Sequence, residues 1–307
     1  MTEYIKTEEA AEEYLRKKGI LQTFHECPFC HSERTGKIRR GLYKCYRCRK
    51  EWSRRRGSKL EQSRIPLQKV LLAIKLFELE TSIRKSSQQL ELAYNTTYAL
   101  YNLIRQVIIP LTTESKRFSG EIEVDESYFG GRRKGKRGRG AANKIPVFGI
   151  LERGGKVRVD VVDDVKGDTL QKLTLKKVKR GSLIYTDKFR SYDGLVSYGF
   201  KHERIDHGLK FANGKVYING IEGFWSFAKE RLMKYHGVDP GKFPLYLKEL
   251  EVRYNYRNDD LFDVVIRQLK IGRWVDLIEE SPFFFNQLLT ENFFYRIRIV
   301  KPDGFLS

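Results

Sequence analysis

Two cysteine knuckles near the amino terminus constrain the fold of this chain more than any other feature. Cys27 and Cys30 form the first C-x2-C pair, Cys45 and Cys48 form the second, and fourteen residues separate Cys30 from Cys45. Four thiolates in two such pairs match the tetrahedral coordination of Zn²⁺, and the intervening length suits a β-hairpin. Because protein fills all four positions, we expect a structural zinc ion. The alternative is a redox-active dithiol pair, which does not need two knuckles.

The residues around the knuckles predict a zinc ribbon over 25–62, after a short amphipathic helix over 1–24. Pro28 and the aromatic residues Phe29, Tyr43, Tyr46 and Trp52 are typical of such a ribbon. The same segment is crowded with basic residues: Lys37, Arg39, Arg40, Arg47, Arg49, Lys50, Arg54, Arg55 and Arg56. These side chains favour contacts with phosphates. A solvated run of charge is the alternative.

The charge balance of the whole chain indicates a polyanionic partner. Its 307 residues allow two or three domains, and 59 Lys and Arg against 39 Asp and Glu give a net charge of +20. Nucleic acid is the partner that such basicity favours. Generic basicity, as in ribosome-associated or membrane-surface proteins, is the alternative.

The sequence contains no segment that resembles a signal peptide or a membrane span. Its first residues form a charged amphipathic pattern, and no apolar run approaches the ~20 residues that cross a bilayer. We therefore expect a cytosolic protein without a membrane partner. Disulfides are rare in that compartment, which again favours metal binding by the cysteines.

Residues 63–118 are predicted to form a helical region. Pro66 suits a first helical position, a short second helix runs from about Ser86, and Asn95 is a candidate cap for a third helix that ends near Pro110. Three helices with a tight turn before the last resemble a helix-turn-helix. We expect the exposed start of the third helix to face a DNA groove and to present Thr96, Thr97 and Tyr98. A plain helical linker domain is the alternative.

Residues 119–260 have the pattern of an α/β domain. Three strands are predicted near 121–125, 145–152 and 156–162, followed by a helix near 168–178 and strands near 182–187 and 201–205. A glycine- and arginine-rich stretch separates the first two strands. It is predicted to be a flexible basic loop that contacts DNA through Arg132, Arg133, Arg137 and Arg139.

A helix that begins near Asn219 is predicted to have two distinct faces. Its polar stripe contains Asn219, Glu222, Ser226 and Lys229, and its apolar stripe contains Ile221, Phe224, Ala228 and Leu232. Taken alone, the polar stripe is a surface with a Glu–Lys pair. Trp225 is expected to pack in the core, with stacking on a DNA base as the alternative.

Three carboxylates, one of them on the polar stripe, indicate a metal site. The element order is that of the ribonuclease H-like fold, in which the first and fourth strands are neighbours, so Asp125 and Asp187 are expected to meet with Glu222 beside them. Three hard oxygen ligands suit Mg²⁺ or Mn²⁺, and two such ions activate the attacking and leaving oxygens of a phosphodiester. Glu123 shares the face of Asp125, where we expect it to screen a basic strand edge.

Several motifs resemble those of DDE transposases and retroviral integrases. Asp125, Asp187 and Glu222 match the catalytic acids of that superfamily, 34 residues lie between the last two, and Lys229 follows the glutamate by seven residues. More specifically, Val124–Gly131 (VDESYFGG), Pro146–Gly149 (PVFG), Tyr185–Asp187 (YTD) and Asn219–Ser226 (NGIEGFWS) resemble the ISXO-like insertion-sequence transposases, which typically carry a zinc ribbon. The resemblance covers about residues 20–260 and leaves the aromatic tail, 261–307, unmatched.

The resemblance implies a DNA transposase that works near the nucleoid, in the cytoplasm of a prokaryote. Such an enzyme binds its element's terminal inverted repeats, exposes a 3′-hydroxyl by metal-dependent hydrolysis and joins it to target DNA. The implied cofactors are two Mg²⁺ or Mn²⁺ per active site and one structural Zn²⁺, and the implied assembly is a homodimer or a larger synaptic complex on double-stranded DNA. Lys229 and Asn219 are candidate DNA contacts. A DNA-binding regulator with an inactive domain, and a nuclease that never joins ends, are the alternatives.

Overall fold

The computed structural model describes residues 3–113, 116–130, 144–187, 192, 194–205, 218–235 and 237–270. Contacts between Cα atoms divide the chain into two compact units. The described residues up to Val107 form one unit with those from Phe262 onwards, and Ile108–Leu261 forms the other. Within the described ranges, no helix combines the length and the apolar character that crossing a membrane requires.

The first unit opens with a helix and a small three-stranded sheet. Helix α1 is Glu8–Lys17, and the antiparallel strands β1, β2 and β3 are Thr35–Lys37, Leu42–Cys45 and Glu51–Ser53, with β2 in the centre. Tyr43 and Trp52 are stacked and form a small core with Cys27 and Cys45. Arg54, which follows β3, forms ion pairs with two glutamates of α1 and so ties the helix to the sheet.

Three helices follow: α2 is Leu67–Glu78, α3 is Ile83–Leu90 and α4 is Tyr94–Ile108. The hydroxyl of Ser82 accepts the N–H of Lys85 and caps α3, and Glu91 adopts a left-handed conformation (φ 49°) that ends it. Three residues then separate α3 from α4. The structure starts α3 three residues before the predicted Ser86 and α4 two residues before the position that a cap at Asn95 predicts, so Asn95 lies inside α4 and is not its cap. That these helices act as a helix-turn-helix stays a prediction.

The second unit is built on a mixed five-stranded sheet. Its elements are β4 (Glu121–Phe129), β5 (Ile145–Glu152), β6 (Val157–Val161), α5 (Gly167–Lys177), β7 (Leu183–Asp187), β8 (Lys201–Ile205), α6 (Asn219–Met233) and α7 (Phe243–Asn255). The strand order is β6-β5-β4-β7-β8. The pairs β4–β5 and β5–β6 are antiparallel, and the pairs β4–β7 and β7–β8 are parallel. The predicted ribonuclease H-like fold is thereby confirmed.

Alternation along the strands gives each face of this sheet its own core. Ile122 and Val124 of β4 are fully buried with Leu170 of α5 on one face. Phe129 of β4 and Tyr185 of β7 are buried on the other face with the apolar residues of α6 and α7. Since side chains of a strand alternate between faces, Glu123, Asp125 and Asp187 share the face that α6 covers.

Helix α7 protects the exposed edge of β6 with its side chains. Asn255 Oδ1 accepts the N–H of Val157 (2.7 Å), and Asn255 Nδ2 donates to the carbonyl of the same residue (2.9 Å). At Val159, the N–H donates to Glu251 (3.2 Å), and the carbonyl accepts from Lys248 (2.7 Å). The helix thus supplies the hydrogen bonds that a further strand would make, which prevents pairing with other chains at this edge.

The carboxyl-terminal described segment returns to the first unit. Helix α8 is Leu261–Gln268, and its Asp263 accepts hydrogen bonds from Tyr14 (3.3 Å) and Lys18 (3.1 Å) of the amino-terminal helix region. After α8, the N–H of Lys59 donates to the carbonyl of Leu269 (2.9 Å). From the sequence, residues 261–307 are expected to form a separate tail. Its aromatic clusters, 283–285 and 293–295, lie outside the described residues.

Substitution Asn255→Ala removes both bonds to Val157 and leaves two backbone groups of β6 without their protein partners. We expect it to lower the free energy of unfolding by about 1–3 kcal/mol. The measurement is urea denaturation, with Asn258→Ala as control because Asn258 is exposed just beyond the helix. Equal stability of the two variants would contradict this role of Asn255.

Candidate functional site

The four predicted zinc ligands lie together in the first unit. The sulfur atoms of Cys27 and Cys48 are 3.6 Å apart, and those of Cys30 and Cys45 are 3.7 Å apart. A tetrahedral ion with metal–sulfur bonds of ~2.3 Å requires sulfur–sulfur distances of ~3.8 Å, so the four thiols fit Zn²⁺. Among the described residues, this is the group of potential metal-binding side chains whose ligand atoms all lie within 4.8 Å of one another.

The register of the central sheet brings the two aspartates together. The β4–β7 ladder pairs Glu121 with Leu183 and Glu123 with Tyr185. Continuing the same register by two residues places Asp125 beside Asp187, at the point where β7 ends. The sequence prediction that the first and fourth strands are neighbours is therefore correct, and the two carboxylates lie on the same face.

Glu123 joins β4 to the start of α6. Its carboxylate is 1 % exposed and accepts hydrogen bonds from the backbone N–H of Ile221 (2.9 Å) and from Arg153 Nε (3.0 Å). Arg153 in turn stacks on the ring of Tyr185, with 3.7 Å between its Cζ and the ring centroid. Ile218, which precedes the helix, makes no side-chain capping bond. Glu123 supplies that cap from strand β4 and also pairs with Arg153, so it screens a basic side chain as expected and has a second role that was not expected.

The faces of α6 are those that the sequence predicts. Its polar stripe of Asn219, Glu222, Ser226 and Lys229 is exposed, whereas Ile221, Phe224 and Ala228 are fully buried. Asn219 is the first helical residue and not a cap. The ammonium of Lys229 lies 5.9 Å from the ring centroid of Phe129, which is the last residue of β4. Lys229 therefore lies near the carboxyl end of that strand.

Trp225 forms a direct bond to one of the candidate ligands. Its indole Nε1 donates to Asp125 Oδ2 (3.0 Å), and the side chain is 4 % exposed. Gly149 is the partner of Asp125 in the β4–β5 ladder. A Cβ atom at Gly149 would lie 2.5 Å from Cζ2 of Trp225 and 2.7 Å from its Cη2, so only a glycine leaves room for the indole.

The three acids share one electrostatic field. Burial is the largest of the causes that together raise the pKa of Asp125 to about 6. The charges of Asp187 and Glu222 act in the same direction, and the N–H groups of Glu126 and Trp225 act against it. The four thiols all lie within 4.8 Å of one another, whereas the ligand oxygens of these three described acids do not. Mutually repelling carboxylates are stabilised by a divalent cation, and their hard oxygens fit Mg²⁺ or Mn²⁺.

The residues that are predicted to contact DNA differ in their exposure. Thr97 is fully buried and its hydroxyl donates to the carbonyl of Ala93 (3.3 Å), so the expectation that it is exposed is wrong. Thr96 and Tyr98 are half-buried, and Tyr98 stacks on the exposed Tyr94 with 6.4 Å between ring centroids. The basic loop residues Arg132, Arg133, Arg137 and Arg139 lie outside the described residues.

Sequence reasoning missed two roles in this site. It gave Glu123 no part in holding α6 and gave Trp225 no polar contact. The alternation of β4 and the spacing of four between Ile221 and Trp225 were visible, but both contacts join residues about a hundred positions apart in the chain.

Two family models match separate parts of the chain. Residues 117–255 match a model described as the ISXO2-like transposase domain, and residues 6–51 match a transposase zinc-ribbon domain. The two matches confirm the resemblance that the motifs indicate, and the second confirms the zinc ribbon.

Individual proteins add to this comparison. A transposase-like protein of Haemophilus influenzae is 43 % identical over 120 residues, which are 39 % of this chain and 98 % of that protein. Among solved structures, the Mos1 strand transfer complex is 11 % identical with a TM-score of 0.28, covering 66 % of this chain and 78 % of that one. The Mos1 mariner paired-end complex with Mn is 11 % identical with the same TM-score, covering 65 % and 74 %.

Substitution Asp125→Asn tests the shared field. A carboxyl whose folded pKa is raised from 3.8 to about 6 destabilises the fold once it is ionised, so the wild type loses stability as the pH rises through this interval. We expect the variant, in zinc-loaded protein without magnesium, to be more stable by about 1–3 kcal/mol above pH ~6.5 and equal near pH ~4. Urea denaturation at several pH values measures the difference.

The control for this prediction is Asp163→Asn, because Asp163 is an exposed aspartate of the same unit. It is expected to change stability little at any pH. A gain for Asp125→Asn that does not depend on pH, or a loss of stability at pH 7.5, would contradict the shared field.

Proposed function

The chain belongs to the ISXO2-like transposase family, and from this premise we propose that it cuts and joins the ends of its own DNA element. In this proposal it binds the terminal inverted repeats, hydrolyses a phosphodiester at each end and joins the released 3′-hydroxyl to target DNA. The observation that carries the proposal is the set of three acids on one face of a ribonuclease H-like sheet. Asp125 and Asp187 are adjacent by register, and Glu222 comes from the helix docked on them.

Asp125, Asp187 and Glu222 would hold two Mg²⁺ or Mn²⁺ ions. When bound, such ions activate the attacking oxygen and stabilise the leaving oxygen of a phosphodiester. The side chains fix where this chemistry takes place, because Asp125 is held by Trp225 and Glu222 is held through the capped start of α6. Glu123 is not a ligand in this proposal, since both of its oxygens already accept hydrogen bonds.

The reaction needs no covalent bond to the enzyme. In the first step, the oxygen of water attacks phosphorus, the bond to the 3′ oxygen breaks, and the 3′ oxygen takes up a proton. In the second step, that 3′-hydroxyl loses its proton and attacks a target phosphodiester. The new bond to phosphorus replaces the bond to the target's own 3′ oxygen, which leaves and takes up a proton. Lys229 is exposed on the same face of α6 as Glu222, two turns further along the helix, and would hold a phosphate beside the scissile bond.

The first unit would recognise the transposon ends. A structural Zn²⁺ held by Cys27, Cys30, Cys45 and Cys48 would fix the ribbon, whose basic residues would contact phosphates. The start of α4, with Thr96 and Tyr98, would meet a groove. Asn219 and the arginines at 132, 133, 137 and 139 would contact DNA. Two copies or more would bring two ends together in a synaptic complex.

The experiment compares wild type, Asp187→Asn and Asp163→Asn on DNA that carries the element's ends and a target, in Mg²⁺. Loss of a ligand should lower cleavage and joining more than about 100-fold, since changes outside the ligand set alone typically cost about 10- to 100-fold. The exposed Asp163 serves as the matched control and should leave both steps unchanged.

The products distinguish the proposal from its alternatives. Joining that survives in Asp187→Asn would overturn the proposal. Cleavage by wild type without any joined product would indicate a nuclease, and binding without cleavage would indicate a DNA-binding regulator.

A further inference from the structure

We propose that Trp225 is a positioning residue that orients Asp125 for metal binding, and that Gly149 is glycine because the indole occupies its side-chain space. This inference rests on the proposed function, because it assumes that Asp125 is a metal ligand. Neither Trp225 nor Gly149 is charged, and neither would bind the metal itself.

The bond between Trp225 and Asp125 has a fixed direction. An indole N–H is only a donor, so it restricts its partner to an acceptor, and here the acceptor is Asp125 Oδ2 at 3.0 Å. The indole cannot turn freely, because it packs edge-on against Phe129 and Phe224, with centroid separations of 6.0 and 5.2 Å. A rigid donor of this kind restricts the rotation of the carboxylate that accepts its bond.

Gly149 shows that the sheet makes room for this contact. Its φ is not positive, so the backbone conformation at this position does not require glycine. Space is the remaining requirement, since a Cβ atom would lie 2.5 Å from one indole carbon and 3.0 Å from Cδ1 of Ile221. The bulk of α6 is therefore accommodated at the position of β5 that pairs with Asp125.

Two bonds between β4 and α6 together define the position of the helix. Glu123 accepts a hydrogen bond from the N–H of Ile221, and Asp125 accepts one from the indole of Trp225. The two acceptors are two residues apart on one face of the strand, and the two donors are four residues, or about one turn, apart on the helix. Two attachment points prevent the helix from rotating or sliding on the strand. Glu222, which lies next to Ile221, is thereby fixed relative to Asp125, and a preorganised ligand set binds metal more tightly.

The test measures Mn²⁺ affinity by electron paramagnetic resonance on the full-length, zinc-loaded chain, without DNA. Trp225→Phe keeps an aromatic ring and removes the donor. Gly149→Ala removes no polar group and displaces the indole through the added methyl group. We expect each variant to bind Mn²⁺ about 10- to 100-fold more weakly, the usual effect of losing a partner of a metal ligand.

Two control variants separate this role from general packing. Gly223→Ala adds a methyl group to the same helix where nothing lies within 4 Å of the added atom, and Leu250→Ala reduces the same buried core from helix α7. Both should bind Mn²⁺ within about threefold of wild type, even where Leu250→Ala lowers the melting temperature. An equal loss of affinity in Leu250→Ala and Trp225→Phe would overturn the inference in favour of a packing role.

The double variant gives a further signature. Because Gly149→Ala and Trp225→Phe are proposed to act on the same hydrogen bond, combining them should weaken Mn²⁺ binding no more than the worse single change, whereas independent effects would multiply. Wild-type affinity in both single variants, or multiplied effects in the double variant, would contradict the inference. Undiminished Mn²⁺ binding in Asp125→Ala would instead overturn the proposed function.

Discussion

The attachment of helix α6 to strand β4 is the interaction on which the candidate site depends. Two carboxylates of the strand, Glu123 and Asp125, accept hydrogen bonds from Ile221 and Trp225 of the helix. Glu123 is almost fully buried, and its charge is compensated by Arg153 and by the N–H groups at the start of the helix, where negative charge is favourable. These two bonds add to the burial of the apolar face of α6 and fix the position of Glu222 relative to the two aspartates of the sheet.

Strand β4 therefore holds two acidic side chains in opposite electrostatic environments. The charge of Glu123 is compensated by Arg153 and by the N–H groups of α6. The pKa of Asp125, two residues later, is raised by burial and by the charges of Asp187 and Glu222. A fold selected only for stability would not place three acids in this way. The arrangement is explained if a cation and a phosphate backbone complete the site, and the basic character of the whole chain agrees with such a substrate.

The sequence predicts the architecture of this site better than its internal contacts. Alternation in β4 places Asp125 on one face, the order of elements makes β7 its neighbour, and periodicity separates Glu222 from the buried stripe of α6. These are local patterns, or consequences of topology. The cap of α6 could not be predicted in this way, because Glu123 lies far from Asn219 in the chain and acts through tertiary contact. The expectation that Thr97 is exposed is wrong for a related reason. Packing of α4 buries the side of the helix that carries Thr97 and leaves Tyr94 exposed.

The docked helix α6 is proposed to complete a metal site with the two aspartates of the sheet. X-ray diffraction near the manganese absorption edge, on crystals of the zinc-loaded protein grown with Mn²⁺, shows whether it does. We expect anomalous density in contact with Asp125, Asp187 and Glu222, with the indole of Trp225 still bonded to Asp125 and Glu123 still bonded to α6. Manganese bound by Glu123 in place of Glu222, or no manganese at these acids in crystals that contain it elsewhere, would show that the helix does not complete such a site.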